Sequence, residues 1–384
     1  MTPPNFPDRD DPAAPASLAG RPRVLVVGAG AIGGVVAAKL ARAGHDVTAL
    51  DANREHVARL RSPGLRLDEL GTPSVVRVPA VSGLADLRGP FGFALLTLKA
   101  PYLEPVLTRL VSRRLVHTFV SLGNGLIQPR VAAITGPERL ITGIVEWGAT
   151  NIGPGHVAQT TRAPIILGSS GPGGQDLGER PGRLADVLDA AAPTVVVDDI
   201  NGHVWAKLLL NSTFSGLGAV SGLTYAQVAA EPPGEWLAYR LWTEGYDVAC
   251  AAGVRPGEVA GIRPADLAVH TDDDLPSAAG ALAALLSRLG PTKASMSQDL
   301  ERGSPTEVDV INGAVVAQAA ALGRTATLNQ RVVELVHECE RGARRPGRDT
   351  LAALRAGAAG LPRPPPLPTA PVRHLSPEPG ARHG

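Results

Sequence analysis

The sequence predicts an α/β fold: a doubly wound parallel sheet followed by a mainly α-helical C-terminal domain. Three observations carry this. The apolar run 23–27 feeds Gly28-Ala29-Gly30-Ala31-Ile32-Gly33 and then the apolar stretch 35–43, which reads as strand, tight turn, helix. Strand-like and helix-like runs then alternate as far as Leu122, the mark of crossover connections in a parallel sheet. After about residue 199 strand signals vanish and helical periodicity takes over.

Taken in order, residues 1–21 are rich in Pro, Asp and Ala and read as a disordered tail. Residues 23–27 form the first strand. Residues 31–43 form the first helix, closed by Gly44 where a helix C-cap wants glycine. A strand at 45–51 is followed by a short helix at 54–61, which stops before Pro63. Strands are predicted at 75–81 and 91–98, a helix at 102–111 opened by Pro101, and a strand at 115–122. Runs 140–145, 156–161, 165–168 and 194–197 are short strands, and the first three have no crossover helix between them. They read as a more antiparallel extension of the sheet. Residues 169–182 are a Gly-rich surface loop, and 183–191 read as a helix. Helices are predicted at 201–212, 232–252, 277–289, 305–322 and 328–340. The expected units are 22–198, a dinucleotide-binding domain, and 199–342, a helical substrate domain. Residues 343–384, Arg-rich and then Pro-rich, are expected to be a disordered tail.

The glycine spacing carries the first chemistry. Gly28 permits the sharp turn, and Gly30 lets a pyrophosphate approach the backbone. Gly33 lets the helix pack close to the strand with its amide dipoles aimed at the anion. Backbone groups of Ala29, Ala31 and Ile32 complete the cradle. Asp51 ends the second strand, 18 residues past Gly33 by residue number. A carboxylate there accepts from adenosine ribose hydroxyls and repels a 2′-phosphate, which argues for NAD(H). Arg54, three residues on, could instead reach that phosphate.

Composition excludes other classes. Lys and Arg number 37 against 36 Asp and Glu, giving a net charge of +1, so no general field draws nucleic acid or anionic membrane. Aromatic residues are only 3%, too few for base-stacking platforms. Cys250 and Cys339 are far apart with no metal-type spacing, and no metal is expected. No apolar run reaches the ~18–20 residues that span a bilayer, so a cytoplasmic location is expected.

Lys99 and Asn124 each follow an apolar strand at its C-terminal end, where open α/β sheets bind ligands. A solvated lysine and a plain Asn-Gly turn are the competing readings. Lys207, Asn211 and Ser215 fall at i, i+4 and i+8, one polar stripe on an otherwise apolar helix. That stripe faces either water or a cavity. Ser295 opens a third polar patch, and Glu307 is expected in the first turn of the helix after Pro305.

Together these residues resemble the ketopantoate reductase (2-dehydropantoate 2-reductase) family. The matching pieces are Gly28-Ala-Gly-Ala-Ile-Gly33, Thr97-Leu-Lys99, Asn124-Gly125, Trp205-x-Lys207-x-x-x-Asn211, Leu223-Thr-Tyr225, Ser295-Met-x-Gln-Asp299 and Thr306-Glu-Val-Asp-x-Ile-Asn-Gly313. They occur in the family's order. The resemblance implies a Rossmann-type domain, then a helical domain, with substrate between them. It further implies NADPH-dependent reduction of 2-dehydropantoate to (R)-pantoate on the way to pantothenate. Lys207 would be the general acid, and Glu307 its support, in contact with substrate and cofactor. Asn124 and Asn211 would bind substrate polar groups, Ser295 the carboxylate end, and Lys99 would lie near the cofactor. Two departures stand out. Asp51-Ala52 occupies the turn where the family places an arginine for the 2′-phosphate, and Ser215, expected to bind substrate, stands where the family often has another polar substrate-binding residue, commonly Asn. The cofactor is therefore NADP(H) by resemblance or NAD(H) by Asp51.

Two other functions compete. One is an NAD-dependent D-2-hydroxy acid dehydrogenase acting on a different 2-oxo acid. The other is a dinucleotide-binding sensor without turnover, which would have no need of both Lys207 and Glu307. The partner expected is a small 2-oxo acid, and a homodimer is the assembly allowed for.

Overall fold

The computed structural model describes residues 21–170, 177–289 and 292–358. Strand β1 (Val24–Val27) turns through the glycines into α1 (Ala31–Arg42), and β2 (Val47–Leu50) follows. α1 ends because Gly44 takes a left-handed φ of +78°, which turns the His45 amide back onto the Leu40 carbonyl. Next come α2 (Arg54–Arg59), β3 (Leu65–Glu69), β4 (Thr72–Val76), β5 (Ala80–Val81), β6 (Phe91–Leu96) and α3 (Ala100–Ser112). Then follow β7 (Val116–Ser121), α4 (Gln128–Thr135), β8 (Leu140–Val145), β9 (Ala149–Gly153), β10 (His156–Gln159), β11 (Ile165–Gly168), α5 (Arg180–Leu188) and β12 (Thr194–Val196).

The main sheet has the order β12-β11-β8-β7-β6-β1-β2-β5. All neighbours from β8 to β5 are parallel, β11 is antiparallel to β8, and β12 is parallel to β11. The two-residue period of β1 splits its side chains between two cores. Val24 and Val26 pack with Val35 and Leu40 of α1 and Leu184 and Leu188 of α5. Leu25 and Val27 pack with Leu103, Leu107 and Leu110 of α3, in a core that runs on into the helical part of the chain. Both faces are thus covered, as a parallel sheet requires.

The remaining elements are helical: α6 (Asn201–Leu210), a π turn (Asn211–Ser215), α7 (Gly216–Ser221), α8 (Tyr225–Ala230) and α9 (Pro232–Ala251). After these come α10 (Leu275–Leu289), α11 (Ser295–Glu301), α12 (Asn312–Ala321), α13 (Thr327–Glu340) and α14 (Arg348–Gly357). The π turn displaces the register after Leu210, and the Asn312 side-chain amide donates to the Ser212 carbonyl there at 2.8 Å.

Four expectations are corrected. The single strand at 75–81 is two: β4 ends at Val76, and β5, beyond Pro79, pairs with β2 of the other sheet. The strand at 156–161 does not extend the main sheet. It is β10 of a second sheet, β4-β3-β10-β9, whose Leu65, Leu67 and Val157 pack on α1. The helix predicted at 305–322 begins only at Asn312, after a 3-10 turn at Val308–Val310, because Ile311 takes a non-helical backbone with ψ of −86°. The tail predicted at 343–384 instead carries α14, with Leu351 and Leu354 buried in the core shared with α9. Residues 1–20 and 359–384 of the two predicted tails, and 171–176 of the predicted loop, lie outside the described residues. Among the described residues no helix is long and apolar enough to cross a membrane.

Candidate active site

Gly28, Asp51, Lys99, Asn124 and Val145 stand at or just beyond the C-terminal ends of β1, β2, β6, β7 and β8. The parallel sheet therefore gathers them along one edge, where such sheets bind ligands. The three glycines differ in what they need. Gly28 has a φ of +96°, and a Cβ there would meet the Leu98 backbone at 3.0 Å. A Cβ on Gly33 would lie 1.9 Å from the Gly28 carbonyl and 2.4 Å from Thr97 Oγ1, so only glycine lets α1 sit this close. A Cβ on Gly30 would meet nothing within 4 Å and would project into open space above the turn. That is the pattern a pyrophosphate requires: two glycines forced by packing and a third that leaves the approach clear. The turn thus fits a dinucleotide.

Asp51 braces this turn. One carboxylate oxygen accepts the Ala29 amide at 2.9 Å, and the other accepts the Asn53 amide at 2.9 Å. His56, which sequence reading passed over, holds the same loop from behind. Its Nδ1 accepts the Gly155 amide at 2.8 Å, so the ring donates from Nε2 to the Ala29 carbonyl, also at 2.8 Å. Asp51, Asn53, His56 and Asn151, with Arg302 of the helical part, line a cavity of about 210 Å³. Arg302 Nη2 donates to the Asn151 carbonyl at 3.0 Å. Only the fold brings residues 151 and 302 together.

Lys207 lies on α6 and points at the sheet, its Nζ donating to the Val145 carbonyl at 2.8 Å. Burial pulls its ammonium down to about 8, against the opposing pull of Glu307 and Glu146. Glu307 is buried at 7% exposure and precedes the 3-10 turn, so it is not the ordinary first-turn carboxylate of a helix. Asn124 Nδ2 donates to its Oε2 at 3.0 Å, and the Ala100 amide reaches Oε1 at 3.4 Å. Burial raises the Glu307 carboxyl, and those two donors offset part of the rise. The Asn124-Gly125 turn is locked to this segment. Leu126 N donates to the Val310 carbonyl at 3.0 Å, and a Cβ on Gly125 would lie 2.0 Å from that oxygen. Asn124 is thereby presented to Glu307 across the two halves of the chain.

Lys99 is not a solvated lysine. It pairs with Asp299 of α11, whose carboxyl burial raises and Lys99 pulls down. Asp299 stands in the motif Ser295-Met-x-Gln-Asp299, but nothing in the sequence pairs it with Lys99. Ser295 itself is exposed at the start of α11, and Asn211 is partly exposed beside Lys207. Ser215 departs from the predicted stripe. The π turn carries it inward to 1% exposure, where its hydroxyl bonds to the Tyr225 hydroxyl at 2.7 Å. Cys250 and Cys339 are free thiols.

A family model described as "Ketopantoate reductase PanE/ApbA" matches residues 24–172, and "Ketopantoate reductase PanE/ApbA C terminal" matches 199–340. The chain belongs to the ketopantoate reductase family. It is an oxidoreductase acting on CH–OH groups with NAD(P), which sets aside the sensor without turnover. It is 29% identical over 319 residues to a 2-dehydropantoate 2-reductase of Mesorhizobium japonicum, covering 76% of this chain and 90% of the relative. A Halobacterium salinarum relative of the same name is 29% identical over 309 residues, covering 77% and 92%. Among solved structures, a PanE/ApbA family ketopantoate reductase from Ralstonia eutropha aligns with a TM-score of 0.68 at 26% identity, covering 83% of this chain and 99% of that one. A D-mandelate dehydrogenase solved with NADH and anilino(oxo)acetate shares the fold, with a TM-score of 0.70 at 23% identity and coverage of 83% and 99%.

Proposed function

We propose that the enzyme reduces the 2-oxo group of 2-dehydropantoate to the alcohol of (R)-pantoate. Residues 22–198 would hold the dinucleotide and residues 199–342 most of the substrate. The observation that carries this reading is the desolvated ammonium of the part-buried Lys207, hydrogen-bonded at the end of β8 and within the field of the buried Glu307 carboxylate. The bound nicotinamide supplies the hydride. As charge develops on the carbonyl oxygen, the Lys207 ammonium neutralises it and then gives up its proton. Being pulled down to about 8, that ammonium is a readier acid than an ordinary lysine and is still mostly protonated at neutral pH.

Glu307 keeps the charge on Lys207 and, with its partner Asn124, offers polar contacts to substrate and cofactor. Asn211, beside Lys207, binds a further substrate oxygen, and Ser295 takes the carboxylate end. Ser215, engaged with Tyr225, shapes the pocket instead of presenting a free donor. Lys99, anchored by Asp299, sits at the cofactor mouth.

One observation favours a second reading, NADH-linked reduction of another 2-oxo acid. Asp51, fixed by two backbone amides, holds a carboxylate at the ribose end of the glycine turn. The test is nicotinamide absorbance decay with 2-dehydropantoate and a panel of 2-oxo acids, each with NADH and NADPH. Turnover with 2-dehydropantoate above the rest of the panel is expected. Turnover confined to another 2-oxo acid with NADH would replace the first reading by the second.

A further inference from the structure

The segment 306–309 that presents Glu307 is held from outside the cleft by two side chains of α13. Glu340 Oε1 accepts both the Thr306 amide and the Thr306 hydroxyl at 2.8 Å. His337 Nδ1 lies 2.7 Å from Glu340 Oε2, and its Nε2 lies 2.9 Å from Asp309 Oδ1. Thr306 directly precedes Glu307, and Asp309 follows it by two positions. The clasp therefore grips the turn on both sides of the buried carboxylate.

The imidazole has an acceptor at each nitrogen. Carboxylate oxygens only accept, so both contacts together need two N–H groups, which is the imidazolium form. Burial works against that charge, but the bonds to Glu340 and Asp309 outweigh it and raise His337 above its ordinary value. The charge of Glu340 also pushes the Asp299 carboxyl of α11 up, while His337 draws the Glu340 carboxyl down.

We propose that Glu340 and His337 are positioning residues for Glu307, setting where its carboxylate stands relative to Asn124 and Lys207. The proposal rests on the role given to Glu307 above. Neither residue is hydrogen-bonded to Glu307 itself, so Glu340 acts through the amide and hydroxyl of Thr306 and His337 through Glu340 and Asp309.

The test uses the full chain. Turnover and KM for 2-dehydropantoate are measured in Glu340→Ala, Glu307→Gln and the double variant. The Glu307 carboxyl is followed by carbon NMR across pH, its resonance identified by its loss in Glu307→Gln. Glu340→Ala is expected to lower kcat by about tenfold with little change in KM, as misplacement of a supporting group does. In the Glu307→Gln background the same change should cost less than about twofold, because the two residues act as one unit. The Glu307 titration should shift by about half a unit or more in Glu340→Ala. Glu340→Gln, which keeps an acceptor for Thr306, should recover most of the rate. Equal losses in both backgrounds with an unmoved Glu307 titration would overturn the proposal. A moved titration with normal turnover in Glu307→Gln would leave the clasp standing and remove Glu307 from the chemistry. If Glu340→Ala does not fold, His337→Gln is read in the same way.

Discussion

Replacing Glu307 by Gln should move the alkaline limb of the pH–rate profile. The substitution keeps side-chain volume and one oxygen for Asn124, gives up the long 3.4 Å contact from the Ala100 amide, and removes the charge that Lys207 feels. Burial already draws Lys207 down to about 8, and Glu307 is the stronger of the two carboxylates that pull it back up. Removing that pull takes Lys207 further below about 8, so the alkaline limb moves to lower pH. At a pH of about 7.5 the ammonium fraction, about three-quarters in wild type, would fall, by about threefold if the transition moves down by about one unit. The sign follows from the chemistry. In the proposed mechanism reduction needs the ammonium, so its rate is full below the Lys207 transition and lost above it. Oxidation of the alcohol needs the neutral amine and rises through the same transition. The assay is kcat for 2-oxo acid reduction from about pH 6 to about pH 10, in wild type and variant. An alkaline limb that stays in place when Glu307 becomes Gln would refute the coupling between the two residues.

Two further substitutions probe the dinucleotide side. Gly33→Ala forces a Cβ against the Gly28 carbonyl, now only 1.9 Å from that position. It should cost on the order of 1–3 kcal/mol in stability and weaken NAD(P)H binding, read by thermal unfolding and by titration of nicotinamide fluorescence. A variant as stable and as tightly binding as wild type would contradict the packing described for α1. If Asp51 meets the ribose as proposed, Asp51→Ala should narrow the gap in KM between NADH and NADPH. An unchanged ratio of the two would remove Asp51 as the discriminating group.

How far this was legible in the sequence depended on range. The strand–turn–helix of β1 and α1 was readable because its glycine spacing, apolar period and cap all lie within about 20 residues of one another. Lys207 was readable as one member of a helical stripe. Ser215 was misplaced on that stripe because a π turn leaves no mark in residue spacing, and it rotates the next residues inward. The second sheet is not legible because β3 and β4 are short and carry Arg66, Asp68 and Pro73, β3 burying only Leu65 and Leu67 and β4 no residue. Its parallel β3–β10 pairing joins segments some ninety residues apart, which no local pattern reveals. Arg-rich composition hid α14, although Leu351 and Leu354 stand at helical spacing. The clasp at Glu307 and the pairing of Lys99 with Asp299 are products of topology alone.

The most direct measurement is turnover of 2-dehydropantoate by Lys207→Ala at neutral pH, with cofactor binding checked separately. A proton donor fixed at the end of β8 should cost roughly 10²–10⁴ in kcat when removed, while the dinucleotide still binds. A near-normal kcat in that variant would mean that the proton comes from elsewhere and that the buried ammonium serves only the fold.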